Sequence, residues 1–186
     1  GDKISGDAIT TYSQIVEASY ADSVSTATTL NEALSSLVES PSEANMTAAR
    51  RAWLDSREPY LQTEVYRFYD GPIDNPTDGP EGLLNAWPLD ENYIDYVDGD
   101  DAAGIINGTE EITAAGLEAL NEQGGEANIA TGYHAVEFLL WGQDFNANGP
   151  GERSYTDYLR DGNGTADNQE RRGIYLNVVG DLMITH

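Results

Sequence analysis

Apolar side chains recur every three or four positions along the start of the chain. Ile9, Tyr12, Val16, Tyr20, Ala27, Leu30, Leu34 and Leu37 form one stripe, and that period predicts a single helix over residues 8–39. At 1.5 Å per residue it would be about 45 Å long. Its middle, Ser23 to Thr29, is weakly apolar, so a bend or a looser contact is expected there. Ser40, Pro41 and Glu43 then read as a helix start: a capping hydroxyl, a proline at the first helical position and an acid where a capping box needs it. Met46, Ala49 and Trp53 mark the buried stripe of this second helix. Pro59 removes one hydrogen bond from the pattern, which predicts a kink or break near Glu58 and more helix through Tyr60, Leu61, Val65 and Phe68.

Residues 70–108 change character. Pro72, Pro76, Pro80 and Pro88 fall among glycines and acids, which predicts an irregular insertion with one short helix near Asp90 to Val97. Trp87, Tyr93 and Tyr96 favour a packed segment over a disordered one. Thr109 can cap a helix running to about Gln123, with Glu110 and Glu111 at its positive end and Gly124 and Gly125 closing it. The next helix, Ile129 to Trp141, is apolar almost all round, the mark of a buried helix, and Gly142 ends it. A loop from Asp144 to Gly164 leads to a last helix from about Thr165. That helix is still strongly apolar when the chain stops at His186, so we expect the native protein to continue. Alternating strand patterns and internal repeats are absent. The fold class predicted is all-α: one helical domain over 1–186, a bundle of long helices with a long irregular insertion.

Charge sharpens the picture. The formal charge is −24, with one lysine, and eighteen Asp and Glu but no Lys or Arg lie between Arg67 and Arg153. Such a field repels nucleic acid and anionic membrane and gathers cations; it equally suits an acidic surface adapted to salt. There is no cysteine, which excludes disulfides and thiolate metal sites. No apolar run is long enough to span a bilayer. The chain opens on Gly1 rather than methionine, so we expect that an export signal has been removed.

The buried helix carries the candidate chemistry. His134 and Glu137 are three residues apart and share a face. Burying an imidazole and a carboxylate is costly unless each finds a partner. The two can satisfy each other as a core pair, or grip one cation, since both are good ligands for iron or zinc. Gly132 allows another backbone to approach closely. Trp53, Arg57, Glu64 and Arg67 sit among aromatics; they read either as an exposed amphipathic face or as Glu64 and Arg57 aimed at His134. His186 is the other histidine, and no His-Glu-x-x-His string is present, so the ordinary zinc-protease arrangement is missing. Asp144-Phe145-Asn146-Ala147-Asn148-Gly149 opens like a calcium loop, yet Tyr155 stands where the bidentate Glu belongs. It and Asp161-Gly162-Asn163-Gly164-Thr165 read as Asx turns.

Gly132-Tyr133-His134-Ala135-Val136-Glu137 resembles the Gly-x-His-x-x-Glu signature of the imelysin family. The likeness continues through Phe138-Leu139-Leu140-Trp141-Gly142-Gln143-Asp144, and through Gln62-Thr63-Glu64-Val65-Tyr66-Arg67-Phe68 with Gly71-Pro72-Ile73-Asp74. Asn85-Ala86-Trp87-Pro88-Leu89-Asp90 and Asn168-Gln169-Glu170-Arg171-Arg172 resemble the iron-regulated protein A branch. The resemblance implies an all-helical bacterial protein of two bundle-like halves, of which this chain is the first and the second is a partner. It implies export to the periplasm or anchoring at the outer membrane, and a role in iron uptake with membrane components. It also implies a metal set of His134 and Glu137 joined by Glu64 and Asp74, with Gly132, Arg57, Trp53 and Trp141 in support. The cofactor expected is a metal ion, iron first and zinc second.

Three functions fit these readings. A binding protein would hold an iron-like cation or an iron-bearing ligand and hand it on. A metallopeptidase, as the family's namesake is called, would use Glu137 as a general base on metal-bound water; one internal histidine argues against it. A surface interaction module would use the His–Glu pair for stability alone.

Overall fold

The computed structural model describes the backbone of residues 2–69 and 71–186 and the side chains of 5–69 and 71–186. Gly1, on which the removed signal was inferred, lies outside them, as does Asp70. The described residues form helices and turns with no strand: α1 (Asp2–Glu39), α2 (Glu43–Gln62), α3 (Glu81–Asn85), α4 (Glu91–Ile94), α5 (Gly104–Asn107), α6 (Ala114–Leu120), α7 (Gly132–Trp141) and α8 (Gln169–Thr185). One-turn 3-10 helices occupy Thr63–Tyr66 and Tyr155–Tyr158. The all-α class predicted from periodicity is the class observed.

α1 packs on α2 and α8, and α7 packs on α8 and α2. Leu30, Leu34, Leu37, Met46, Leu139, Tyr175, Leu176 and Val179 meet in the shared core. The α1 stripe is buried only from Ala27 onward; Ile9, Tyr12 and Ile15 are exposed. Helix lengths give the reason. α2 has 20 residues against the 38 of α1, so a short connection lets it cover only the second half of its partner.

Several boundaries differ from expectation. Ser42, not Ser40, caps α2; its hydroxyl accepts the Asn45 N–H at 3.2 Å. Ser42→Ala is expected to destabilise the protein by about 1 kcal/mol, read as a shift of the urea midpoint with an unchanged slope. Pro59 lies inside α2 without ending it. It falls in the last turn, where one missing bond is the least disruptive, and the Tyr133 hydroxyl donates to the carbonyl of Ser56 just before it. α6 starts after Thr113 rather than Thr109, and α8 starts at Gln169. The insertion holds three short helices where one was expected. Both acidic loops are Asx turns: Asp144 accepts the Asn146 N–H at 2.8 Å and Asp161 that of Asn163 at 3.1 Å.

Candidate functional site: a cleft along the His–Glu helix

α7 is pinned at both ends. Gly132 has φ 81°, and a Cβ there would press on the Leu84 carbonyl and lie 2.8 Å from the Leu83 oxygen. Glycine therefore both makes the turn and admits α3 against it. The Thr131 hydroxyl donates to Leu83 O at 2.8 Å, and Asn121 Oδ1 accepts the Ala130 N–H at 2.9 Å. Trp53 Nε1–H donates to Tyr133 O at 2.9 Å. At the other end Gly142 has φ 67°. The last turn's carbonyls, which lack helical partners, are filled from elsewhere: Arg50 donates to Leu140 O at 2.8 Å, Tyr158 to Leu139 O at 2.8 Å and the Arg153 N–H to Trp141 O at 2.9 Å.

The helix is not sealed all round. Tyr133, Ala135, Val136, Leu139 and Leu140 are buried, while His134, Glu137 and Trp141 are only partly covered. Their three- and four-residue spacing puts them on one face, and that face opens into a cleft of about 660 Å³. Trp53, Trp87 and Trp141 line it together with Leu89, Glu91 and Gln143. Trp53 and Trp141 pack edge to face with centroids 5.3 Å apart. Trp87 is 68% exposed and packs against the His134 ring, centroids 4.7 Å apart and planes tilted by 56°.

His134 Nδ1 and Glu137 Oε2 are 3.0 Å apart, with the side chains 17% and 43% exposed. In the neutral imidazole the Nδ1 proton satisfies the carboxylate, which leaves the Nε2 lone pair as a donor. A carboxylate fixing a histidine in this way is the usual support for a metal-bound imidazole.

Of the other residues implied by the resemblance, Trp53 and Trp141 line the cleft and Gly132 starts its helix, while Glu64, Asp74 and Arg57 stand elsewhere. Glu64, on the 3-10 turn, is exposed and pairs with Arg67 at 3.3 Å. Asp74 accepts the N–H groups of Phe68 and, at 3.0 Å, Gly71, and so closes its own loop. Among the described residues no three His, Cys, Asp or Glu side chains are grouped to hold one ion. The expected set of four is thus not gathered: Glu64 and Asp74 are committed to Arg67 and to loop amides, and His134 and Glu137 remain as a pair. Arg57 stacks over Tyr133, its guanidinium carbon 4.7 Å from the ring centroid, and donates to Asn85 Oδ1 at 2.6 Å. It does not line the cleft.

A second cluster escaped the sequence reading. Asp95, Arg153, Asp157 and Arg172 are all buried. Arg172 holds Asp95 in a two-pronged contact at 2.7 and 2.9 Å and donates to Asp157 O at 2.9 Å. Arg153 Nη1 bridges Asp95 at 2.8 Å and Asp157 at 3.1 Å. Asp157 also accepts the hydroxyls of Tyr96 and Thr165, each at 2.6 Å. Burial alone would raise the Asp95 pKa, but the Arg172 hydrogen bonds and the charges of both guanidinium groups hold it below the ordinary range. Burial pushes the Tyr96 hydroxyl up to about 12 against the opposing charge of Arg153, and Asp157 adds to the rise. The cluster fastens the α4–α5 connection to α8 and to the Tyr155–Tyr158 turn. Next to it, Gln143 accepts the Asp98 N–H at 2.6 Å and donates to Glu91 at 2.8 Å, so the cleft wall is braced by the same region. The one available signal was scarcity: Arg153, Arg160, Arg171 and Arg172 are the only cations beyond Arg67.

No helix of the described residues is long and apolar enough to cross a membrane. Iron-regulated protein A of Synechococcus elongatus is 39% identical over 81 residues, a stretch covering 44% of this chain and 22% of that protein. This chain therefore aligns with well under half of that relative. The sequence model of the imelysin family matches residues 16–186. A match running from within α1 to the last residue, over a helical fold with the Gly132, His134 and Glu137 signature on one helix, places this chain in the imelysin family.

Proposed function

We propose that the cleft binds an iron-like cation or an iron-bearing ligand, with His134 Nε2 as the inner donor and Glu137 orienting and charge-balancing it. The supporting observation is the 3.0 Å contact from Glu137 to Nδ1 on the open face of an otherwise buried helix. Imidazole nitrogen with carboxylate oxygen suits iron and zinc. The relative's name ties that protein to iron, which makes iron the first cation to test here and zinc the second. On this reading the protein is exported, periplasmic or held at the outer membrane, and passes its cargo to membrane components of uptake, with a second half of the fold as its neighbour. Catalytic zinc takes three protein ligands and one open position; two grouped donors favour binding over hydrolysis.

Metal analysis of the full-length protein tests the reading. Wild type is expected to carry a stoichiometric transition metal that His134→Ala loses. Glu137→Gln is expected to weaken affinity by about 10–100-fold, the usual effect of removing an orienting partner. Equal metal content in wild type and His134→Ala overturns the proposal.

A further inference from the structure

The cleft is built for more than a bare ion. At about 660 Å³ it falls in the range of sites for organic ligands. Its indoles have nothing to offer a hydrated cation, whose water shell keeps apolar surface at a distance. Trp87 nevertheless stands 68% exposed beside His134, and Trp53 and Trp141 form a second aromatic pair on the wall. The protein offers His134 Nε2 as a donor, with Glu137 behind it on Nδ1, and groups no further His, Cys, Asp or Glu with the pair among the described residues. An octahedral metal held there must bring most of its own ligands. The walls also carry Asp90, Glu91, Glu137 and Asp144 and no Lys or Arg. Arg50 and Arg57 lie against the Trp141 and Trp53 rings, 5.8 and 5.7 Å from their centroids, but four carboxylates outnumber them, so the cleft attracts cationic complexes over anionic ones, and the exposed Trp87 face adds to the attraction.

We propose that the cleft takes its cation as a positively charged organic chelate with open coordination positions, His134 Nε2 filling one of them and the tryptophans covering the chelator. This rests on the metal-binding reading above and adds the class of cargo.

The test uses gallium(III) complexes of a linear tetradentate dihydroxamate whose free end carries an ammonium, an acetamide or a succinamate group, the last ending in a free carboxylate. The three share a scaffold and step down by one charge each. Binding to the full-length protein is followed by titration calorimetry and tryptophan fluorescence. The ammonium form is expected to bind tightest, with affinity falling about five- to tenfold per charge step at low salt and the steps shrinking at high salt. Trp87→Ala is expected to weaken all three complexes by about tenfold, because the ring covers the scaffold they share. Affinity independent of charge, or bare metal ion bound as tightly as the ammonium complex, overturns the inference. The two proposals fail differently. If His134→Ala abolishes binding of bare iron(II) while the charge series is flat, metal binding stands and the chelate class falls. If His134→Ala leaves both bare iron and chelates bound as in wild type, the metal-binding reading itself falls.

Discussion

Asp95→Ala is expected to remove about 3–5 kcal/mol of folding stability, the range seen when one member of a buried ion pair is deleted. The carboxylate is fully buried and serves both Arg153 and Arg172. Without it two buried guanidinium groups face each other with Asp157 as the remaining acid, and desolvation of the unpaired charge is no longer offset. Domains of this kind are stable by about 5–15 kcal/mol, so the loss is a large share. It should appear as a fall in melting temperature of roughly 10 °C or more and a lower urea midpoint, whereas replacing the exposed Asp101 should leave both in place. A wild-type midpoint in Asp95→Ala would show that the cluster contributes nothing net.

The same carboxylate sets an acid limit. Against the effect of burial, the two guanidinium groups hold its folded pKa below the ordinary aspartate value of 3.8. A depressed carboxylate pKa contributes stability that is complete above the unfolded value and is lost as pH falls through the folded one. Wild-type stability should therefore drop as pH is lowered below about 3.8, and Asp95→Asn should flatten that part of the profile.

Gly132→Ala is the second large effect, expected at about 2–5 kcal/mol from two sources that add. A side chain at φ 81° is strained by about 1–2 kcal/mol. The new methyl group also meets the carbonyls of Leu83 and Leu84, which are backbone and cannot swing away; overpacking of this kind costs about 1–3 kcal/mol. Relief requires α3 to part from α7, which would shift the start of the helix that carries His134. Chemical denaturation should show the loss, and metal titration of the folded fraction should show weaker binding. Unchanged stability would mean that the close approach of α3 is dispensable. Gly99, also at positive φ but with open space around it, is the control: Gly99→Ala should show only the strain.

Legibility follows the range of the interactions involved. Three- and four-residue periodicity lies within a single helix, so the helices of the bundle and the shared face of His134 and Glu137 could be read directly. Gly142 as the end of α7 belongs to the same local grammar. The helix starts at Gly132 and not at Ile129 because Asn121, nine residues back, and Leu83, 48 residues back, claim the groups at Ala130 and Thr131. The helix over 8–39 is observed within α1, while the exposure of its first half was not legible for a related reason. Its stripe is real, but whether a stripe is covered depends on the length of the neighbouring helix.

The chain alone determined an all-helical class, the acidic field and a histidine and a carboxylate one turn apart, because each follows from composition or from neighbours a few residues away. The tertiary structure decided that this pair opens on an aromatic cleft, that Glu64 and Asp74 are spent on other partners, and that Asp95 joins Arg153 and Arg172 across 58 and 77 residues. Contacts at such separations depend on the path of the whole chain, and burial turns an ordinary Asp or Arg into a group whose partner is obligatory.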